Sequence, residues 1–299
     1  MTTNILLRRN KNTFVLYLLV FLLFSLFAFS ANAGKFSKGI FWKIDGKYKS
    51  PSYLLGTMHS EDRRVINFPP VIRDTFSRCD SLSLELVPDL PNITKTAMSV
   101  MYSDGRSLDK VVDRETYRRS VRALGSYGIP EMAASLMKPW AVMLALSMPK
   151  PKTGMYMDIK LYRMALAEKK KVYGLETVEE QVQIFESMPL EKQIVLLKET
   201  LDNLVMLPSI IEEMTLIYLQ RDLQGLVLLS KKYAPKDKVL AELLMIRLLE
   251  KRNKIMFQRM QPRLRVGNAC IAVGALHLPG KTGLLQMLEH AGFKVSPVY

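Results

Sequence analysis

The sequence predicts an α/β (α+β) fold, with a mixed central β-sheet flanked by helices and a helical insertion between its strands. Runs typical of strands lie near both ends of the 299-residue chain. Two long regions between them, at about 90–170 and 178–260, carry apolar residues at the three- and four-residue spacing of helices. Because the strands come from distant segments, we expect residues 34–299 to form one domain rather than two in series.

The strands are predicted from apolar or alternating runs that end at turn-forming residues. The first two flank a turn at Gly46 and Lys47 and predict a hairpin, and the third ends before Pro88. The run 270–276 is the most apolar, so we expect it to be central in the sheet. The predicted strands are 41–45, 52–56, 81–86, 171–175, 270–276 and 293–295.

The helices are predicted from their spacing of apolar residues and from prolines that separate them. One opens at Pro69-Pro70, since proline suits a first helical turn. Asp158 lies near the start of another, where an N-terminal capping role is the simplest interpretation. The further predicted helices are 114–127, 138–147, 155–169, 238–260 and about 284–288.

The first 33 residues have the order of a secretory signal peptide. Three basic residues precede an apolar run at 14–29, and Ser30-Ala31-Asn32-Ala33 follows as a cleavage site. We expect cleavage after Ala33 and export, with the periplasm as the destination. The alternative is a membrane anchor formed by residues 14–29, since such a run nearly spans a bilayer.

Composition narrows the function classes. Hydrophobic residues at 48% and charged residues at 24% are ordinary for a globular protein. The net charge of +15 is spread thinly, without a basic block interleaved with aromatics, so no nucleic-acid partner is expected. The charge favours contact with an anionic membrane or cell envelope.

The chain has two cysteines, Cys79 and Cys270. Each cysteine lies a similar number of residues before a polar residue at a predicted strand end. Glu85 comes six residues after Cys79, and His277 comes seven after Cys270. A disulfide at the opposite edge of the sheet would suit an exported protein. Two small buried hydrophobic residues are the slightly preferred interpretation.

Two of the three histidines follow a predicted strand at the same offset from a glycine, in Gly56-Thr57-Met58-His59 and Gly274-Ala275-Leu276-His277. Glycine at this place allows a sharp turn and a close approach to the backbone. Ligands of open α/β sheets bind beyond the carboxyl ends of the strands. The matched pair therefore predicts a transition-metal site, whereas a single histidine would be read as a strand-end hydrogen-bonding group.

Two glutamates also stand where apolar strands end. Glu85 lies within Leu84-Glu85-Leu86 and Glu176 closes Gly174-Leu175-Glu176. A carboxylate among apolar residues must be paired, bound to metal or protonated. One could complete a two-histidine, one-carboxylate site, and the other could accept a proton from water. The alternative is pairing with a basic residue.

Arg252-Asn253 lies inside a predicted helix, where asparagine is unfavourable unless its amide has a role. An arginine and an amide that face the site could hold a substrate carboxylate or an oxyanion. Their residue types alone leave both, together with Asp158, as surface residues.

These motifs resemble those of the TraB/GumN family, which includes the Tiki metalloproteases. The resemblance covers about 40–298, and its most specific stretches are Gly174-Leu175-Glu176-Thr177-Val178-Glu179-Glu180-Gln181 and Val273-Gly274-Ala275-Leu276-His277-Leu278-Pro279-Gly280. The other matching segments are Tyr53 to His59, Leu84-Glu85-Leu86, Lys138-Pro139-Trp140, Asp158 and Arg252-Asn253.

The resemblance implies a fold shared with erythromycin-esterase-like and haem-binding ChaN-like proteins. It implies a metal site at His59, Glu85 and His277, with Glu176, Arg252 and Asn253 as further polar positions. Tiki members use divalent manganese or cobalt to cleave peptides, so manganese or cobalt is the expected cofactor, with zinc or iron as alternatives. We expect an exported metal-dependent hydrolase that acts on a peptide or other small substrate, with Glu176 as the base and with Arg252 and Asn253 positioning the substrate. The alternative is a non-catalytic protein that binds haem, metal or an envelope ligand. A third possibility is a structural envelope protein with a relic site.

Overall fold

The computed structural model describes residues 35–46, 50–235 and 237–299. The predicted signal peptide lies outside these residues. Within them, no helix combines the length and the apolar character that a membrane crossing requires. The strands are β1 Phe41–Asp45, β2 Ser52–Thr57, β3 Ser81–Leu84, β4 Lys171–Gly174, β5 Ala269–Gly274 and β6 Lys294–Pro297.

Helices occupy both of the regions predicted between the strands. They are α1 Arg63–Ile66, α2 Pro70–Arg78, α3 Leu90–Ser99, α4 Leu108–Val111, α5 Arg114–Gly125, α6 Glu131–Leu136, α7 Pro139–Ser147, α8 Met157–Ala167, α9 Val178–Glu186, α10 Leu190–Asn203, α11 Leu207–Leu219, α12 Leu223–Lys232, α13 Lys238–Met245, α14 Lys251–Val266 and α15 Leu284–His290.

The strands form one mixed sheet in the order β4-β3-β5-β2-β1-β6. The first four are mutually parallel, whereas β1 is antiparallel to both β2 and β6. Strand β5 lies between β3 and β2 with five of its six residues buried, which confirms the prediction that the most apolar strand is internal. The predicted α/β fold with a mixed, helix-flanked sheet is confirmed.

Two hydrophobic clusters stabilise the protein. The larger one surrounds the sheet and includes helices α2, α8, α12 and α15. The second is purely helical, contains Trp140 and Phe185 in a stacked pair, and joins α7, α10 and α13. We call the region around this second cluster the helical lobe. Helix α9 connects the carboxyl end of β4 to the helical lobe, and it starts with a capping box at Thr177 and Glu180.

Helices α13 and α14 form one continuous helical stretch with a π-helical segment, Ile246–Glu250, between them. The sequence predicts a single helix over 238–260, and the helical stretch continues to Val266. A π-helical turn widens the helix and shifts the side chains that follow it, and such turns are frequent at functional sites. Here the π segment ends at Glu250, two residues before Arg252 and three before Asn253.

A disulfide joins Cys79 and Cys270, with their Cα atoms 5.8 Å apart. The preferred prediction of two buried free thiols is therefore wrong, and the alternative is correct. The parallel register places Leu82 beside Cys270, which lies near the amino-terminal ends of β3 and β5. Neighbouring strands in this register bring two residues within bonding distance although 191 positions separate them in the chain.

Candidate metal centre

Four polar side chains follow the four parallel strands at their carboxyl ends. His59 follows β2, Glu85 follows β3, Glu176 follows β4, and His277 follows β5. Because these strands are adjacent and parallel, their carboxyl ends lie along one edge of the sheet. The topology thus brings the four predicted residues to the same edge.

Gly56 is required by a close approach between two of these strand ends. A Cβ atom at Gly56 would lie 2.8 Å from Leu278 Cδ1 and 2.9 Å from Ala275 Cα. Such distances are too short for any side chain, so the turn after β5 packs directly against the backbone of β2. The Tyr218 hydroxyl also donates to the Gly56 carbonyl at 2.8 Å. This confirms the prediction that glycine allows another group to approach the backbone.

Arg252 lies at the centre of the site and connects the two glutamates. Its Nε and Nη2 donate to the two oxygens of Glu176 at 2.8 and 2.6 Å, and Nη2 also donates to Glu85 Oε2 at 2.5 Å. Gln181 donates to Glu176 as well. The two carboxylates raise the pKa of Arg252 against the opposing effect of burial. The guanidinium is therefore a permanent cation that fixes both carboxylates.

The interpretation of Arg252 and Asn253 as surface residues is wrong, because they are 8% and 2% exposed. Both contact residues at the sheet edge from the first turn of α14, which follows the π-helical segment. Asn253 Nδ2 donates to the backbone carbonyls of Thr282 and His277. This fixes the amide, so its Oδ1 atom is left to accept.

His277 is completely buried, and Asn253 holds its ring. The distance between His277 Nδ1 and Asn253 Oδ1 is 2.5 Å. Because Oδ1 can only accept, Nδ1 carries the proton and Nε2 presents its lone pair. Burial and the charge of Arg252 keep the pKa of His277 well below its ordinary value, so the imidazole is neutral.

His277 Nε2 has no hydrogen-bond partner among the described residues, although it is buried. It lies 3.6 Å from Glu85 Oε1, which accepts from the Gly274 N–H at 2.6 Å. A separation of 3.6 Å between nitrogen and oxygen is close to that of two neighbouring ligands of one cation held at about 2.1 Å. A histidine whose other nitrogen is fixed by an amide is also the usual arrangement of a metal ligand. These two residues therefore fit a divalent cation.

His59 is placed differently. Its side chain is exposed, and its ring stacks on Tyr156 with centroids 4.0 Å apart. Desolvation by the surrounding protein lowers the pKa of His59 to about 4, and the charges of Glu85 and Glu61 oppose this shift. In the described part of the chain, no three His, Cys, Asp or Glu side chains form a ready ligand set. The structure thus brings Glu85 and His277 together and leaves His59 outside their contact.

Asp158 does not cap helix α8, because Tyr156 occupies the N-cap position. The capping interpretation is therefore wrong. Asp158 lies in the first turn, partly buried, and interacts with the Thr57 side chain and the charge of Glu85. Burial and, next, the charge of Glu85 raise the pKa of Asp158 to about 7. Its interpretation as a surface residue is also wrong, since the residue is partly buried. A carboxyl of this pKa can exchange protons near neutral pH.

Sequence reasoning missed two residues beside the site, Tyr156 and Glu61. Neither belongs to a recognisable spacing pattern, although Glu61 follows His59 by only two positions. The role of Lys138-Pro139-Trp140 is structural, since Lys138 and Trp140 both donate to Glu186 and join α7 to α9.

Taken together, the mixed sheet and the buried His–Glu–Arg–Asn cluster at its parallel strand ends define an α/β protein with a polar strand-end site. The family model of the TraB/PrgY/gumN family matches residues 40–297, and the chain belongs to this family. No curated protein and no solved structure matches the chain.

Proposed function

We propose that the protein is an exported metal-dependent hydrolase in which His59, Glu85 and His277 hold a divalent cation. The single observation that carries this proposal is the unpartnered Nε2 of buried His277 beside Glu85. An imidazole nitrogen of this kind is costly to bury unless something binds its lone pair. A bound divalent cation would act as a Lewis acid and lower the pKa of a water molecule in the site.

The charges of the buried cluster support a cation. Arg252 contributes one positive charge, whereas Glu85 and Glu176 contribute two negative charges, and His277 is neutral. One negative charge is thus left uncompensated in a low-dielectric region, which favours a cation there. The pKa of the nearby Asp158 is raised by burial first and by the charge of Glu85 second.

The contacts suggest a division of roles among the polar residues. Asn253 fixes the tautomer of His277, and Arg252 fixes Glu85. Both oxygens of Glu176 accept hydrogen bonds, from Arg252 and Gln181, which leaves this carboxylate little freedom to accept a proton. We therefore assign proton exchange with the reacting water to Asp158 in place of the predicted Glu176, because Asp158 is a partly buried carboxyl that interacts with Thr57 and Glu85.

The export and the substrate class belong to the same proposal. A disulfide between Cys79 and Cys270 suits an oxidising compartment such as the periplasm. A peptide as substrate, and manganese or cobalt as the metal, are supported by the likeness of the chain's segments to the Tiki metalloproteases. The positive net charge of +15 supports contact with an anionic envelope or membrane.

The experiment compares the three histidines of the chain. The protein is purified without chelator, its metal content is measured by elemental analysis, and cleavage of a peptide library is followed with added Mn²⁺ or Co²⁺. We expect His59→Ala and His277→Ala each to abolish metal-dependent cleavage and to lower bound metal. His290→Ala is the matched control, because His290 is exposed on α15 and, among the residues that the structure describes, its side chain bonds only to Gln286.

Wild-type metal content and cleavage in both His59→Ala and His277→Ala would show that the mechanism is wrong. A Soret absorption band in the purified protein, lost in His277→Ala, would instead establish the non-catalytic haem-binding alternative. Met58 does not favour that alternative, since it is 7% exposed and belongs to the core cluster around the sheet.

A further inference from the structure

Three side chains in the proposed site differ in how they are held. Glu85 is fixed by the Gly274 N–H and by Arg252, and His277 is fixed by Asn253. His59 has no such partner: among the described residues it accepts and donates no hydrogen bond, and its one ring contact is the stack on Tyr156. A ligand on an exposed side chain needs its rotamer restricted, because a loose ligand loses metal affinity.

The contact with Tyr156 is part of a larger arrangement. Residues 148–156 connect α7 to α8 and end at Tyr156, which stacks on His59, and we call them the strap. The strap begins near the helical lobe, where the Tyr127 hydroxyl donates to the backbone carbonyls of Leu146 and Met148. It ends at Tyr156, the N-cap residue of α8.

Glu61 anchors the middle of the strap. Its carboxylate accepts from the backbone N–H groups of Lys152, Thr153 and Gly154, at 2.6 Å for the shortest of these bonds, and from the Thr153 hydroxyl at 2.8 Å. Gly154 has φ of +72°, so the strap turns through the left-handed region that lets successive N–H groups converge on one anion. These hydrogen bonds lower the pKa of Glu61, although burial opposes them.

Glu61 also acts on the aromatic ring that touches His59. Burial and the negative charge of Glu61 raise the pKa of Tyr156 to about 12. His59 and Glu61 are two positions apart in the loop after β2. Gly154, which donates to Glu61, and Tyr156 are two positions apart in the strap. The loop after β2 and the strap therefore contact each other twice. Glu61 accepts hydrogen bonds from the strap, and Tyr156 of the strap stacks on His59.

We propose that Tyr156 and Glu61 are positioning residues for His59, with Tyr156 restricting the imidazole by stacking and Glu61 fixing Tyr156 through the strap. This inference rests on the proposed metal site and deepens it, since it assigns to His59 the support that Asn253 gives to His277. Outer contacts of this kind typically change metal affinity by about 10- to 100-fold when removed.

The test uses full-length protein with the variants Tyr156→Leu, Tyr156→Phe and Glu61→Gln. Tyr156→Leu removes the ring and should raise the Kd for Mn²⁺, measured by calorimetry, by about 10- to 100-fold. Tyr156→Phe keeps the aromatic ring and should retain the wild-type Kd. A difference between the Phe and Leu variants would show that the aromatic ring is what supports His59. Glu61→Gln keeps the Tyr156 side chain but weakens its support by the strap, and it should weaken Mn²⁺ binding by about 10-fold.

A second measurement needs no metal. The chain has only three histidines, so the ring signals of His59 can be followed by NMR in chelator-treated protein. Stacking on Tyr156 shifts these signals, and Tyr156→Leu should move them towards the position of an unstacked imidazole. The control is Tyr117→Leu, which removes a tyrosine that also contacts a glutamate, Glu131, but lies in the helical lobe.

The outcomes separate this inference from the proposed function. Unchanged His59 signals and unchanged Mn²⁺ affinity in Tyr156→Leu would overturn the positioning role. Equal losses in Tyr156→Phe and Tyr156→Leu would overturn the stacking mechanism. If the wild-type protein binds no Mn²⁺, the metal proposal fails, and the NMR measurement alone still decides whether Tyr156 holds His59. Glu61→Gln gives the same decision if Tyr156→Leu does not fold.

Discussion

The two Gly-x-x-His segments end neighbouring parallel strands, yet one histidine is buried and the other is exposed. His277 follows β5 through a 3-10 turn, Ala275–His277, and lies under α14, where Asn253 fixes its ring. His59 follows β2 and faces the strap, where the contact is an aromatic stack. Identical spacing therefore delivers two side chains to one sheet edge, whereas the element packed above each strand decides how firmly each is held.

This difference also separates rigid from adaptable parts of the site. The half formed by Glu85, Glu176, Arg252, Asn253 and His277 is joined by hydrogen bonds and ion pairs in the interior. The half formed by His59 and Tyr156 stands at the surface and depends on a connecting segment. Loops that carry functional residues on a rigid scaffold are a common arrangement.

The largest expected effect is in the buried half. Arg252→Ala leaves two carboxylates without their cation in the interior, so we expect the free energy of unfolding to fall by about 3–5 kcal/mol. Urea unfolding monitored by circular dichroism measures it. Arg259→Ala is the control on the same helix, since its pair with Glu180 is partly exposed and should cost about 1 kcal/mol or less. Equal effects of the two substitutions would contradict the contrast between interior and surface.

The two histidines should differ in the same sense. His277→Gln disturbs the bond to Asn253 in a fully buried position, and we expect a loss of about 2–3 kcal/mol in the metal-free protein. His59→Gln should change stability by less than about 0.5 kcal/mol, because the side chain is exposed. Thermal unfolding in the presence of chelator provides the measurement. A His59→Gln loss as large as that of His277→Gln would remove the distinction between the two segments.

The smallest effect concerns pH and lies between the two halves, at Asp158. Its folded pKa of about 7 exceeds the unfolded value of 3.8, so the folded protein retains a proton that the unfolded chain has lost between these pH values. The wild-type free energy of unfolding should therefore fall as pH rises from about 4 to 7. Asp158→Asn should remove about 1–2 kcal/mol of this fall, discounted because Asp158 is only partly buried.

Denaturant unfolding of wild type and Asp158→Asn at several pH values, both in chelator, checks this prediction. Parallel pH profiles for the two proteins would show that Asp158 ionises normally in the folded state. Asp109→Asn is the control, because Asp109 is an exposed residue of α4.

Much of the fold follows from local patterns in the sequence. All six strands follow from apolar or alternating runs. The internal position of β5 follows from its apolar run, because a strand buried on both faces requires apolar side chains throughout. The helical regions follow from apolar spacing. The disulfide did not follow, since pairing of Cys79 with Cys270 depends on the register of β3 against β5, which no local pattern specifies.

The candidate site divides in the same way. Glycine spacing and apolar strands identified His59, Glu85, Glu176 and His277, because a polar residue directly after a buried strand reaches the sheet edge. Burial of Arg252 and Asn253 could not be predicted from residue type, since it depends on the π-helical segment and on packing of α14 over β5. Tyr156 and Glu61 were missed because their contacts join segments about 90 positions apart.

The sequence by itself determined the secondary structure, the family and the four polar strand ends, because these depend on the order and polarity of neighbouring residues. Only the tertiary structure decided that Nε2 of His277 has no hydrogen-bond partner among the described residues. It also decided that Arg252 joins the two glutamates and that the Tyr156 ring stacks on His59. These contacts depend on side chains from distant segments meeting in a packed interior, where burial and hydrogen bonding set both the protonation state and the geometry.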